Sequence, residues 1–399
     1  MTTTINNEHK KLNVPNLRFP EFLGEWSVTT LQKDCIVNPT NEKIADKFVY
    51  VDLESVKQGQ LYKYQILTKD NAPSRAQRVL HTDDILFQCV RPYQMNNYMV
   101  KGTMSDIQWV ASTGYAQIRT QTDYPAFLYC VLNTSKYNKA VMVRCTGSSY
   151  PAINSEDLSK IPFYKCGIAE QKKIADFLSL LDERIATQNK IIEDLKKLKS
   201  AIIEKHYCKV EKQIACVGDL GEPFSVGNLA KDDLTETGIP CVIYGELFTT
   251  YGETISQIES HTYKTEGIIL SKKGDLLFPS STTVDAMSLI APSVINMDGV
   301  ILGGDMFGIH ISPNFNAQYL SYYFNHIAKR QLAKFAKGST IIHLHYADIE
   351  KAKLLLPSLE EQNRMAKCLV TLDDKIKKER TFFDLLNSQK AYLLCHMFI

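Results

Sequence analysis

The chain has 399 residues, enough for two or three domains, with 44% hydrophobic residues, 23% charged residues and a formal net charge of +2. No stretch approaches the ~18 consecutive apolar residues of a membrane span, and the polar opening 1–11 lacks the apolar core of a signal peptide. Ten cysteines without a CxxC pair or paired zinc spacing read as reduced thiols, which points to a cytoplasmic protein with no membrane partner.

Residues 1–16 read as a polar arm, with structure expected from Leu17-Arg18-Phe19-Pro20 and Trp26 as an early core anchor. Apolar and β-branched runs predict strands at 48–53, 85–90 and 110–118. Helices at 126–132 and 140–145, the turn Gly147-Ser148-Ser149 and a strand at 161–164 lead into a long helix over 170–205. The next segment follows the same plan, with strands at 239–244, 276–278 and 307–311. A helix over 317–336 is expected to bury Leu320, Tyr323, Phe324, Ile327 and Phe335 and to stop at Lys337-Gly338-Ser339-Thr340. Leu354-Leu355-Leu356-Pro357 then returns to a second long helix.

That helix is the first one written again. Glu170-Gln171 and Glu361-Gln362 lie 191 positions apart, as do Ala175 and Ala366, Leu178 and Leu369, Leu181 and Leu372, Asp182 and Asp373, Leu195 and Leu386, and Lys199 and Lys390. In both copies apolar residues fall alternately four and three apart, the spacing of a coiled-coil seam. Each helix would be about 50 Å long, and a seam of that length needs a partner, which the other copy supplies. Antiparallel pairing about the midpoints sets Ile174 against Leu393, Leu181 against Leu386, Ile185 against Phe382, Leu195 against Leu372 and Ile202 against Met365. Gln188 and Glu379 then meet as a central polar layer that fixes register. Ser358 and Glu361 have the spacing of a capping box, with Gly167 at the matching place in the first copy.

Outside the helices the 191-residue offset survives at Asp84 and Asp275, at Gly147-Ser148 and Gly338-Ser339, and at Asp157-Leu158 and Asp348-Ile349; elsewhere the two segments share little. The expected architecture is α/β with a pseudo-two-fold internal repeat: an arm (1–16), a globule (17–165), a helix (166–209), a second globule (210–356) and a second helix (357–399). The charge balances of 1–165, 166–209, 210–355 and 356–399 are +4, +2, −5 and +1. Strong binding to DNA by one chain calls for a more basic surface than this.

Catalytic signatures are missing. There is no GxxxxGK phosphate loop, and Asn38-Pro39-Thr40 lacks the second proline and the aromatic of an amino-methylation tetrapeptide. His343 and His345 share one face of a strand, as two metal ligands would, without a third.

This layout resembles the specificity subunit of type I restriction–modification systems. The resemblance is carried by Pro162 before Glu170-Gln171-Lys172-Lys173-Ile174-Ala175, by Leu181-Asp182-Glu183-Arg184-Ile185, and by their counterparts from Pro357 onward. The Gly-Ser turns and Gly238-Ile239-Pro240 with Tyr244-Gly245-Glu246 also look like that family's target recognition domains. It implies a non-catalytic subunit in which each globule is a target recognition domain, reading one half of a bipartite, asymmetric target in double-stranded DNA. The helices would set the spacer and dock two methyltransferase subunits, which restriction (translocase) subunits would join. S-adenosylmethionine, ATP and Mg are then expected on the partner subunits and no cofactor on this chain.

Candidate DNA contacts in the first globule are Arg75, Arg91, Tyr93, Lys101, Tyr115, Arg119, Arg144, Gly147, Ser148 and Ser149. In the second they are Tyr244, Ser280, Ser281, Thr282, Lys334, Lys337, Gly338, Ser339 and Thr340. Arginine reads guanine through a bidentate pair, and serine or threonine reaches bases or phosphates. Small-residue turns admit a phosphate to backbone amides; equally, Gly147 and Gly338 fit left-handed caps on the preceding helices. Two other functions suit the same layout: a coiled-coil scaffold without specific recognition, marked by sequence-independent behaviour on DNA, and a stand-alone DNA-modifying enzyme, marked by activity of the single chain.

Overall fold

Each long helix is divided between two compact units: Met1–Asn189 with Thr381–Ile399 make the first, and Lys190–Arg380 the second. The computed structural model describes residues 12–40, 42–57, 59–102, 107–147 and 149–399, so most of the expected arm lies outside the described residues.

In the first unit the β-branched and aromatic runs make two four-stranded sheets. One runs Gln65–Thr68, Lys47–Val51, Gln108–Ser112, Ala76–Leu80, with the middle two strands parallel. The other runs Cys35–Val37, Tyr115–Thr120, Ile85–Gln88, Tyr98–Met99, antiparallel throughout. The single strand expected over 110–118 is therefore two strands in different sheets. The chain turns at Thr113-Gly114, where a β-carbon on Gly114 would sit 3.0 Å from the Leu53 side chain. The helix expected over 140–145 is Ser135–Met142, earlier than expected, because the Thr134 hydroxyl accepts from the Tyr137 amide and fixes its start.

The core of this unit joins Trp26, Phe87, Ile118 and Phe127 to Ile174 and Leu178 of the first long helix, to Leu393 of the second and to Met397 just beyond it. Trp26 meets Phe127 and Phe398 edge-on, and the Leu17 amide donates to the His396 carbonyl at 2.9 Å. Arg18 clamps the buried Glu170 with two bonds of 2.7 and 2.8 Å.

The second unit has two five-stranded sheets: Gly221–Ser225, Met306–Ile311, Asp275–Pro279, Ser293–Ile295, Thr254–Ile255; and Leu234–Thr235, Ser260–Thr262, Ile239–Ile243, Ile301–Gly303, Ile269–Leu270. The helix expected over 317–336 ends at His326. The Tyr323 carbonyl accepts from both Ile327 (2.8 Å) and Ala328 (3.0 Å), a widened turn that breaks the ladder and buries Ala328 before Lys329–Leu332 begins. Leu320, Tyr323 and Phe324 are buried, whereas Phe335, beyond the break, is exposed. Ile203 of the first long helix and Met365, Ala366 and Leu369 of the second complete this core.

The repeat is deeper in backbone than in sequence. Tyr115–Thr120 and Met306–Ile311 are 191 residues apart at both ends. The parallel pairing of Val110 with Tyr50 has its counterpart in Ile301 with Cys241, again at that offset.

The long helices span Ile168–Lys209 and Leu359–His396. The expected capping box is only half made. The Glu361 amide reaches the Ser358 hydroxyl at 3.4 Å, but the Glu361 carboxylate turns to Arg364 and His206. The glutamines after it do the anchoring. Gln171 donates to the Cys166 carbonyl and accepts from the Tyr124 amide; Gln362 donates to the Pro357 carbonyl and accepts from the Asn316 amide. No described helix is long and apolar enough to cross a membrane.

Candidate nucleic-acid interface

In both units the central strand ends where two loops meet, and the hydrogen bonds that join them repeat at the same offset. Cys89 donates its amide to the Gly114 carbonyl (3.0 Å) and accepts from the Ile153 amide (3.0 Å). Ser280 donates to the Asp305 carbonyl (2.8 Å) and accepts from the Leu344 amide (2.9 Å). Next along, Val90 pairs with Ala152, and Ser281 with His343.

The Gly-Ser turns close this frame. Thr146 pairs back with Ala152, and Lys337 with His343, so each glycine opens a tight loop and does not cap a helix. The helix before Gly147 has already ended at Met142. Gly147 has φ +88° and Gly338 φ +111°; a β-carbon would fall 3.0 Å from the Tyr150 carbonyl oxygen in one and 2.1 Å from that of Ile341 in the other. Only glycine fits. The first loop therefore stands clear of a helix C-terminus, whose negative end would oppose phosphate, whereas the second directly follows the short 3-10 turn Ala333–Phe335.

The sequence candidates divide on this frame. Arg91 (half-buried), Tyr93 and Ser149 (exposed) stand beside it in the first unit, and Arg91 lines a cleft of about 550 Å³ with Lys57, Gln94, Asn96 and Tyr150. In the second unit Tyr244, Ser281 and Thr282 line a cleft of about 760 Å³ with Lys329 and Ile341. Burial pushes the Lys329 ammonium below the usual lysine range against the opposing pull of Asp285 and Glu253. Ser339 and Thr340 are exposed; Lys337 is engaged by Asp348 at 2.5 Å, and Lys334 is exposed. Arg144, also exposed, donates to the Ala140 carbonyl at 2.9 Å. Ser148 lies outside the described residues.

Three expected contacts are corrected. Tyr115 is 1% exposed, and its hydroxyl donates to the Asp52 carbonyl, so it packs the core. Arg119 is committed to the buried Asp84 through bonds of 2.8 and 2.9 Å. Ser280 is buried under its own backbone bonds. Arg75, exposed, receives the Thr113 amide on its carbonyl, and Lys101 lines a different cleft of about 540 Å³ beside Asp182 and Lys390.

Sequence reasoning overlooked Tyr150 and Lys329. An aromatic directly after Gly-Ser-Ser was a usable signal for Tyr150; nothing local marked Lys329. His343 and His345 stack with ring centroids 6.1 Å apart, and among the described residues no group of three side chains is placed to hold a metal.

On the helices, Gln188 and Leu386 are buried, and Leu181, Leu195, Leu372 and Glu379 are half-buried, with Lys375 paired to Glu379. Within the first unit Lys390 meets Asp182 at 2.5 Å; within the second Lys199 meets Asp373 at 2.7 Å.

Two domains of one frame with different loop surfaces define a class, and comparison with known proteins agrees. Residues 36–197 and 209–381 both match the type I restriction modification DNA specificity domain, and the chain belongs to that family. It is 25% identical over 260 residues to the type I restriction enzyme MjaVIII specificity subunit of Methanocaldococcus jannaschii, covering 59% of this chain and 60% of that protein's length. It is 21% identical over 410 aligned positions to the putative type I restriction enzyme MjaX specificity subunit of the same organism, covering 93% and 92%. Among solved structures, the type I restriction–modification S subunit from M. genitalium shares the fold with a TM-score of 0.59 at 15% identity, over 97% of this chain and 99% of that one. A chain from a structural study of complex assembly and conformational transition in the type I R-M system gives a TM-score of 0.56 at 18% identity, over 92% and 96%.

Proposed function

We propose that the chain is the sequence-reading, non-catalytic subunit of a type I restriction–modification complex. Its two domains read the two halves of a bipartite, asymmetric target in double-stranded DNA. The observation that carries this reading is the repeated loop frame with divergent side chains upon it: Arg91 and Tyr150 in one unit stand where Thr282 and Ile341 stand in the other. A common frame presents both surfaces alike, and different side chains make the two half-sites differ.

The long helices pair as an antiparallel coiled coil that sets the spacer and docks two methyltransferase subunits. Support comes from the ion pairs Lys390–Asp182 and Lys199–Asp373, whose members are related by the repeat, and from Arg184 lying over the Phe382 ring at 5.4 Å. Restriction subunits complete the assembly, and S-adenosylmethionine, ATP and Mg belong to the partners. A net charge of +2, with the acidic second globule, makes DNA binding by the lone chain weak.

The test is methylation mapping in cells that carry the methyltransferase partner, with and without this chain. The expected result is one asymmetric bipartite motif that depends on the chain. Methylation with no such motif, or sub-nanomolar specific binding by the chain alone at physiological salt, overturns the reading.

A further inference from the structure

We propose that Arg91, seated on Tyr150, is the side chain with which the first domain reads a guanine. This rests on the DNA-reading role above and assigns that role to one residue.

The first ground is backbone strain held in place. Arg91 has φ +54°, the left-handed region that a long side chain adopts at a cost, and Met95 closes the same short loop at φ +51°. The surroundings enforce both. The Arg91 amide donates to the Pro151 carbonyl at 2.8 Å, and Asn138 donates to the Pro92 carbonyl at 3.0 Å. Beneath the loop, the buried Gln88 amide nitrogen donates to the Val90 carbonyl and to Gln94, both at 2.8 Å, while its oxygen accepts from the Asn96 amide at 3.1 Å. The loop is built before any DNA arrives.

The second ground is the state of the guanidinium. It lies 4.4 Å from the centre of the Tyr150 ring, which is 63% exposed. With the cation held over the ring and no hydrogen bond or ion pair on its N–H groups among the described residues, the guanidinium keeps the fork that matches O6 and N7 of guanine. Arg18 and Arg119 spend theirs on buried carboxylates. Among the described residues no carboxylate pairs with Arg91, although Glu54 lines the same cleft.

The third ground is position. Arg91 and Tyr150 correspond through the repeat to Thr282 and Ile341, on a frame otherwise bonded alike. The side chains that differ where the frame does not are the ones fit to tell two half-sites apart.

The experiment sequences the methylome of cells co-expressing the methyltransferase partner with the full chain, wild type, Arg91→Lys or Arg91→Asn. Asparagine tolerates the left-handed backbone and pairs with adenine instead of guanine. Lysine keeps the charge without the fork. One guanine in one half-site is expected to lose about tenfold or more of its preference in Arg91→Lys and to give way to adenine in Arg91→Asn. The other half-site and the spacer stay unchanged. An unaltered motif in both variants overturns the proposal, as does a change in both half-sites. So does a uniform loss in Arg91→Asn that Arg91→Lys restores with the original motif, since that marks a phosphate contact. These three results leave the general DNA-reading role standing; a wild-type chain that directs no motif removes both.

Discussion

Asp84 and Asp275 hold the same place in the two units and solve the same problem differently. Asp84 is fully buried and takes Arg119, the Gln117 amide and the His81 backbone; Asp275 takes His310 at 2.6 Å and the Lys272 backbone, with His310 stacked on Phe224. The offset of 191 flagged the carboxylates in the sequence, but not that Arg119, 35 positions on, was spoken for. Asp84→Asn leaves a partly buried guanidinium without its counter-charge. It is expected to destabilise the first unit by about 3 kcal/mol, read as a lower urea midpoint, with Arg119→Met at least as costly because it strands the fully buried carboxylate.

Glu253 gives a pH-dependent case. Burial opposes its charge, but bonds from His326 and Lys199 (each 2.9 Å) outweigh that and hold its carboxyl down at about 2. A depressed carboxylate adds stability that is full above its unfolded value near 4.5 and fades as pH falls toward about 2. Glu253→Gln should therefore destabilise the second unit at pH 7 by about 3 kcal/mol, read as a lower melting temperature, with the gap closing below pH 4.5. A gap independent of pH would refute the linkage.

For whole elements, legibility followed period. The four–three stripe gave both long helices, because side-chain burial there is dictated by spacing alone. Edges were less legible. The helix stop at His326 depends on the Tyr323 carbonyl receiving two amides, a backbone event no residue type marks, and the Thr113-Gly114 turn on a contact with Leu53, far away in sequence. Helix pairing is tested by Leu195→Cys with Leu372→Cys, in a background with the exposed Cys208, Cys368 and Cys395 replaced by serine. Oxidation should cross-link the pair within the folded chain, and failure to do so rejects the register. The spacer role is tested by insertion. One heptad in a helix adds about 10 Å and nearly preserves the seam, for at most about three extra spacer bases. Two inserted residues should abolish modification. A heptad that keeps activity and leaves the spacing untouched rejects the ruler.

Taken whole, the molecule is a 191-residue plan executed twice, and sequence showed that plan only where residues are irreplaceable: helix seams, anchoring glutamines, the buried aspartates, the glycines of the loops. The strands repeat too, but many different apolar side chains fill a sheet, so their sequences drifted while registers such as Val110–Tyr50 and Ile301–Cys241 stayed. Surface loops carried the least signal because function requires them to differ.

Since each core draws on half of both long helices, the natural seam for exchanging specificity falls within the helices and not at their ends. A chimaera that receives residues 190–380 from a relative, spliced at the two midpoints, imports Ile203, Met365 and Leu369 along with the sheets they cover. It should fold and take on one foreign half-site. Splices at 209 and 359 instead pack a foreign sheet against native helix faces. Such grafts should express poorly or unfold early, visible as a lowered thermal transition. Genes that trade these modules in nature would, by the same mechanics, keep their crossovers in the duplicated helix, where the spliced sequences already agree.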